Sequence, residues 1–254
     1  MSGTFTPRPG GAPLSRQVRA QASMESRLML RNGVQLLLAV VIPVVVLVAG
    51  VLGGEHVGLE HERPLVDVLT PGVLALAVMS TSFTSLAIAT GFERRYGVIK
   101  RLGASPLPRH GLLLGKVGAL LLVEALQVVV VGGVALAMGW DPAGGWLPAL
   151  ATIVLGTAAF ASLGLLLAGV LRAEATLAAA NLVYLLLLAG GGVVLPTTSY
   201  GAAEGVLRLL PSGALGDGLR AALLDGAFAP GALLVLAAWA AAGALAAARW
   251  FRWE

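Results

Sequence analysis

The chain has no cysteine, only three histidines and few charges, with Asp, Glu, Lys and Arg making up 12% of its 254 residues. Each shortage closes a class of function. Without thiols there are neither disulfides nor thiolate metal sites. His56, His61 and His110 all stand between the long apolar runs, which excludes a serine–histidine dyad or a multi-histidine metal site inside those runs. His56 and His61 neighbour Glu55, Glu60 and Glu62, and a solvated polar loop is the reading preferred over a dedicated metal site. A phosphate-binding loop is also missing. Residues 111–117 place three residues between Gly111 and Gly115 and put Val117 after Lys116, whereas such a loop needs four residues and a Ser or Thr for magnesium. The chain is therefore expected to bind no cofactor and to hydrolyse no ATP. Lys116 reads as a basic anchor.

Apolar sequence fills the space that charge leaves. Hydrophobic residues make up 57% of the chain, and a soluble fold, with about a quarter of its residues charged, could not keep that much apolar surface from water. Six runs, 34–52, 68–91, 117–138, 147–171, 176–195 and 231–248, approach the roughly 20 residues that a membrane-spanning helix needs at 1.5 Å per residue. The expected fold is an all-α integral membrane protein with six transmembrane helices. It divides into a cytoplasmic tail with an interfacial helix (1–31) and a six-span domain (32–254).

The sequence pI near 10 does not indicate nucleic acid, because the basic residues lie at one end of the runs and no groove-reading element accompanies them. With the N-terminus inside, the inner face collects Arg8, Arg16, Arg19, Arg27, Arg31, Arg94, Arg95, Lys100, Arg101, Arg109, Lys116, Arg172, Arg249 and Arg252, leaving only Arg63, Arg208 and Arg220 outside. Such asymmetry orients both termini to the cytoplasm of a multi-pass cell-membrane protein. The first apolar run starts too late and runs too long for a cleaved signal. Before it, Leu14, Val18, Ala22 and the group 28–30 share much of one helical face, with Arg16, Arg19, Gln21, Ser23 and Arg27 largely elsewhere. An interfacial helix on membrane lipid and a solvated basic anchor both fit this pattern.

Polar groups inside the runs are few. Glu124 is the one carboxyl well inside a span, with Gln127 three residues on. A charge at that depth is costly and usually faces a bundle interior or a cavity, which makes Glu124 and Gln127 pathway candidates; a protonated, hydrogen-bonded structural role is the alternative. Ser80, Thr81, Ser82, Thr84 and Ser85 form a hydroxyl-rich stretch that can pack helices closely or, through Ser82 and Ser85, line a polar route.

The segment between the second and third runs carries the strongest signal. Glu93, Arg94 and Arg95 precede Tyr96 and Gly97. Ile99, Lys100, Arg101 and Leu102 follow, and Ser105-Pro106-Leu107 breaks the pattern. A short helix followed by a turn fits this order. Tyr96, Ile99 and Leu102 recur every three residues as an apolar ridge suited to a docked partner.

With its acidic–basic start, its glycine, its leucine and Pro106-Leu107 before Leu112-Leu113-Leu114-Gly115-Lys116, this segment resembles that of the permease subunits of type 2 ATP-binding-cassette exporters. Arg95, Val98 and Lys100 depart from residues common there. The resemblance extends over nearly the whole chain. It implies that residues 93–107 form a coupling helix gripped by a separate ATPase subunit, which carries ATP and magnesium. It also implies a dimer with a second copy or a related permease. Further along, Leu215, Leu219 and Leu223 repeat every four residues between a start at Pro211-Ser212 and a stop at Gly226, an amphipathic helix pattern. By resemblance, 211–220 is a re-entrant or interfacial segment before the last span, with Pro211, Leu215, Leu219 and Arg220 as an outer gate; a passive interfacial helix is the alternative. The expected function is export of an apolar or amphipathic solute such as a drug, lipid or natural product. A proton-coupled transporter using Glu124 and a noncatalytic assembly subunit are the competing readings.

Overall fold

In the computed structural model, which describes residues 12–57, 63–103 and 108–251, every regular element is helical. Apolar runs of this length can satisfy their backbone N–H and C=O groups in a bilayer only internally, and a helix does so within one segment. The order is α1 (Leu14–Arg31), α2 (Gly33–Val57), α3 (Leu65–Met79), a π-helical turn (Ser80–Ser85), α4 (Leu86–Arg95), α5 (Val98–Gly103), α6 (Arg109–Ala137), α7 (Trp146–Val170) and α8 (Ala173–Gly190). A 3-10 segment (Thr197–Ala203), α9 (Glu204–Leu207), α10 (Pro211–Asp225) and α11 (Pro230–Trp250) complete it.

Among the described residues, five helical stretches are long and apolar enough to cross a membrane: Leu65–Arg95, Gly111–Ala137, Trp146–Val170, Ala173–Gly190 and Pro230–Trp250. α2 carries a shorter apolar stretch, Ala39–Gly54. Several boundaries differ from those read in the sequence. The run expected over 68–91 is one continuous helix over Leu65–Arg95, because the π turn absorbs the hydroxyl-rich stretch without breaking it. The run expected from 117 begins at Arg109, with Pro108 as N-cap in an extended conformation. The run expected to reach 195 ends at Gly190, and the chain turns at Gly191 and Gly192, the latter at φ +68°. Glycine tolerates that conformation, which side chains resist.

α7 is the central element, flanked by α11, α10, α4 and the π turn. Close approach depends on small residues. Gly243 of α11 leaves no room for a Cβ beside Ser162 of α7, and a Cβ on Gly164 of α7 would come 2.9 Å from the Phe83 carbonyl oxygen of the π turn. Phe83 and Phe160 pack edge to face at 6.3 Å. α10 is buried along most of its length against α3, α7 and α11. Pro211 occupies its first turn and Gly226, at φ +66°, its C-cap, so both ends fall where the sequence placed them. α1 lies against α6.

Candidate functional site

At the end of α4 the chain turns at Gly97, whose φ of +68° sets the short helix α5 apart from α4. Tyr96 is 63% exposed, stacked on Phe92 at 6.2 Å and covered by the Arg95 guanidinium at 5.9 Å. Lys100 and Arg101 are exposed, whereas Ile99 is only 3% exposed and turns inward. Tyr96 and Ile99 therefore do not share one exposed ridge with Leu102: Tyr96 faces out before the turn at Gly97, while Ile99 beyond it is buried. Pro106 and Leu107 lie outside the described residues, as do Ala104 and Ser105, and so do His61, Glu60 and Glu62 of the other loop.

Glu93, Arg94 and Arg95 of the same segment point into the molecule's own contacts. Arg94 donates to the carbonyls of Ala168 at 2.5 Å and Leu171 at 2.9 Å, closing the C-terminus of α7, where carbonyls lack helical partners and favour a cation. Arg95 pairs with Glu174 in the first turn of α8. Lys116 is only 5% exposed. Its Nζ donates to Glu93 Oε1 at 2.8 Å and lies 3.1 Å from Glu25 Oε1. One ammonium thus joins α6, α4 and α1, and Gln21 Nε2 donates to the same Glu25 at 2.8 Å. The face α1 turns to α6 is mixed, with Gln21 and Ser26 buried, Ala22 beside Gly118 and Met29 packed on the cluster around Leu120, while Leu14, Met24, Leu28 and Leu30 are exposed. The sequence put Leu28, Met29 and Leu30 together on much of one face with Leu14, Val18 and Ala22, whereas Met29 turns inward from its two neighbours. No local sign in the sequence marked the triad, because Glu25, Glu93 and Lys116 each stand at a run's basic end, where solvated charge is ordinary.

The four pathway candidates separate. Gln127, buried, donates to Ala39 O at 2.8 Å and to Thr81 Oγ1 at 2.9 Å, joining α6 to α2 and the π turn. Ser82 donates to Val78 O at 2.6 Å within its own helix. Ser85 lines a polar groove with Asn32, Ser80, Thr84, Asn181 and Tyr184. Glu124 lies elsewhere, in the wall of an apolar cavity of about 570 Å³ between α6, α7 and α10. Its Oε2 is 2.6 Å from Thr157 Oγ1, which is also 2.8 Å from Ile153 O. The Thr157 hydroxyl, with a single proton to donate, is shared between Glu124 Oε2 and the Ile153 carbonyl of its own helix. Thr157 escaped the sequence reading. Its signal was depth: Glu124 and Thr157 stand at similar distances from the α6–α7 connection in antiparallel neighbours.

Of the gate candidates, Pro211, Leu215 and Leu219 are buried in the helix core. Arg220, 6% exposed, donates to Val193 O at 2.6 Å and Val194 O at 2.5 Å and pairs with Asp217 at 3.3 Å. Asp217 in turn accepts from the Thr197 hydroxyl at 2.5 Å. This clasp ties the chain beyond α8 to α10. A Cβ on Gly72 of α3 would meet Val194 O at 2.5 Å and Arg220 Nη2 at 2.8 Å, so the clasp also requires a glycine there.

Residues 16–224, from α1 almost to the end of α10, match the ABC-2 type transporter family. The chain belongs to that family: it is a multi-pass membrane permease component of an ABC transporter, not a catalytic subunit. No curated protein matches it.

Proposed function

We propose that the chain is the permease half of an ATP-driven exporter of an apolar or amphipathic solute, working as a dimer with a separate ATPase bound at α5. The observation that carries this reading is α5 itself, set off from α4 by the left-handed turn at Gly97, packed against α4 and with Ile99 buried. A body that pushes on exposed Tyr96 at the end of α4 and on Lys100 and Arg101 of α5 moves α4, and through Lys116 also α6 and α1. Nucleotide state then acts by changing the relative free energies of two bundle arrangements. In this reading α2 is the first of six crossings and both termini are cytoplasmic. α1 lies on the inner leaflet, with Met24 and Leu28 toward lipid and Arg27 and Arg31 toward headgroups. The polar groove around Ser85 and Asn181 faces the second permease and forms half the solute path, while α10 closes its outer side.

The test is purification with native partners. An ATPase should copurify, and its hydrolysis should rise with a transported amphiphile. Reversing Lys100 and Arg101 to Glu should abolish that stimulation while membrane insertion and thermal stability stay unchanged. Normal transport by the reversed protein would exclude α5 as the coupling element. Solute movement by the isolated chain under a proton gradient would favour the secondary-transport reading instead.

A further inference from the structure

The cavity between α6, α7 and α10 is not part of the polar groove just described, and two of its features call for an occupant. Its wall is almost entirely apolar, through aliphatic residues such as Val128, Leu150 and Val154 and the indoles of Trp140 and Trp146, and Val129 and Leu150, at 71% and 57% exposure, leave it open on one side. Within that wall stand two buried polar atoms that have no hydrogen-bond partner among the described residues, Glu124 Oε1 and Trp140 Nε1. Buried polar atoms are seldom left unpaired, because each forfeits its solvation without return. Glu124 is 1% exposed, and its other oxygen is held by Thr157, so Oε1 is fixed in position as an acceptor.

We propose that this cavity is a binding site for a membrane-dissolved amphipathic amine, whose nitrogen donates to Glu124 Oε1 and whose apolar body lies along α6 toward Trp140 and Trp146. The chemistry selects an amine for three reasons. The free oxygen is an acceptor, so the ligand must donate. A carboxyl and an amine together add no net charge to the low-dielectric site, wherever their shared proton sits, whereas a fixed anion would bring only acceptors to an acceptor oxygen and a fixed cation such as a quaternary ammonium has no N–H to donate. The distance from Glu124 to the end of α6 is thirteen residues, or about 20 Å at 1.5 Å per residue. A phospholipid headgroup would have to leave the interface to reach that depth, so the occupant is a free amphiphile rather than a membrane lipid. The unpartnered indole N–H of Trp140 adds a donor for an acceptor atom in the ligand's tail. The site stands whether or not the bound amine is the exported solute, so its failure and the failure of the transporter reading are separable.

The experiment uses the full chain in phosphatidylcholine nanodiscs without nucleotide. Energy transfer from tryptophan to a dodecylamine carrying a dansyl group at its far end reports binding beside Trp140 and Trp146. The wild type should give saturable transfer, and the N-acetylated probe should bind at least tenfold more weakly. Glu124→Gln should lose at least tenfold for the amine and little for the acetylated probe. Gly133→Leu serves as a second variant: Gly133 lines the cavity and a Cβ there meets nothing within 4 Å, so it fills the space without disturbing Glu124 or Thr157. It should weaken the amine probe by a similar factor. Equal binding of the two probes, or undiminished amine binding in either variant, overturns the proposal. Competition by phosphatidylethanolamine added to the nanodisc overturns the assignment to a free amine.

Discussion

Lys116 Nζ sits 2.8 Å from Glu93 Oε2, joining the start of α6 to the last turn of α4 across the chain segment that contains α5. In the proposed coupling, a force applied at α5 would therefore reach two long helices at once. Glu25 brings in α1 as a third member.

Replacing Lys116 by Met should destabilise the protein by about 3 kcal/mol, because two largely buried carboxylates lose the cation they share. Thermal unfolding in nanodiscs measures the loss. The triple change Glu25→Gln, Glu93→Gln, Lys116→Met should recover most of it. A triple variant no more stable than the single one would show that packing, not charge, holds α1 in place.

Arg94 and the α5 cations should respond differently although they are close in sequence. Arg94→Ala leaves the Ala168 and Leu171 carbonyls without their donor, and it should cost about 1–3 kcal/mol. Lys100→Glu with Arg101→Glu changes exposed groups and should move stability by less than about 0.5 kcal/mol. Melting curves of the two variants, set beside solute-stimulated ATPase rates, separate a structural arginine from a docking surface.

Arg220→Lys should fail to replace arginine, with a loss of about 2 kcal/mol, since an ammonium cannot reproduce the fork that serves Val193, Val194 and Asp217 together. Gly72→Ala should give a comparable loss by forcing a methyl against the same carbonyls. Because the two sites share partners, the double variant should lose less than the sum of the singles.

Gly97→Ala tests the turn without altering any contact, as a Cβ at this position meets nothing within 4 Å. The positive φ alone should cost about 1–2 kcal/mol. If that strain is relieved by rotating α5, ATPase coupling should fall further than stability does. Parallel assays of both quantities would reveal it.

The sequence made the spans legible because continuous apolar runs are a composition signal that needs no tertiary knowledge. α10 was equally legible, its start and stop written in Pro211 and Gly226 and its buried stripe in Leu215, Leu219 and Leu223. Partnerships between distant residues were not. Glu93 and Lys116 each look like ordinary interfacial charges until α4 and α6 are laid side by side, and Gln127 reads as a neighbour of Glu124 although it bonds in another direction. The run through 190–195 misled because hydropathy stays high past Gly190, and only the three consecutive glycines 190–192 signalled that the helix stops.

The π turn at Ser80–Ser85 takes one more residue into its hydrogen-bonded loop than an α turn does. The upper and lower halves of this span are consequently out of phase by about one residue, or roughly 100° of azimuth on a helix of 3.6 residues per turn. Excising a single serine there would restore an unbroken α-helical register, but it would swing Glu93 away from Lys116 and turn Arg94 off the end of α7. The apparent irregularity is thus a phase shifter, setting the bearing at which everything beyond it meets the rest of the bundle.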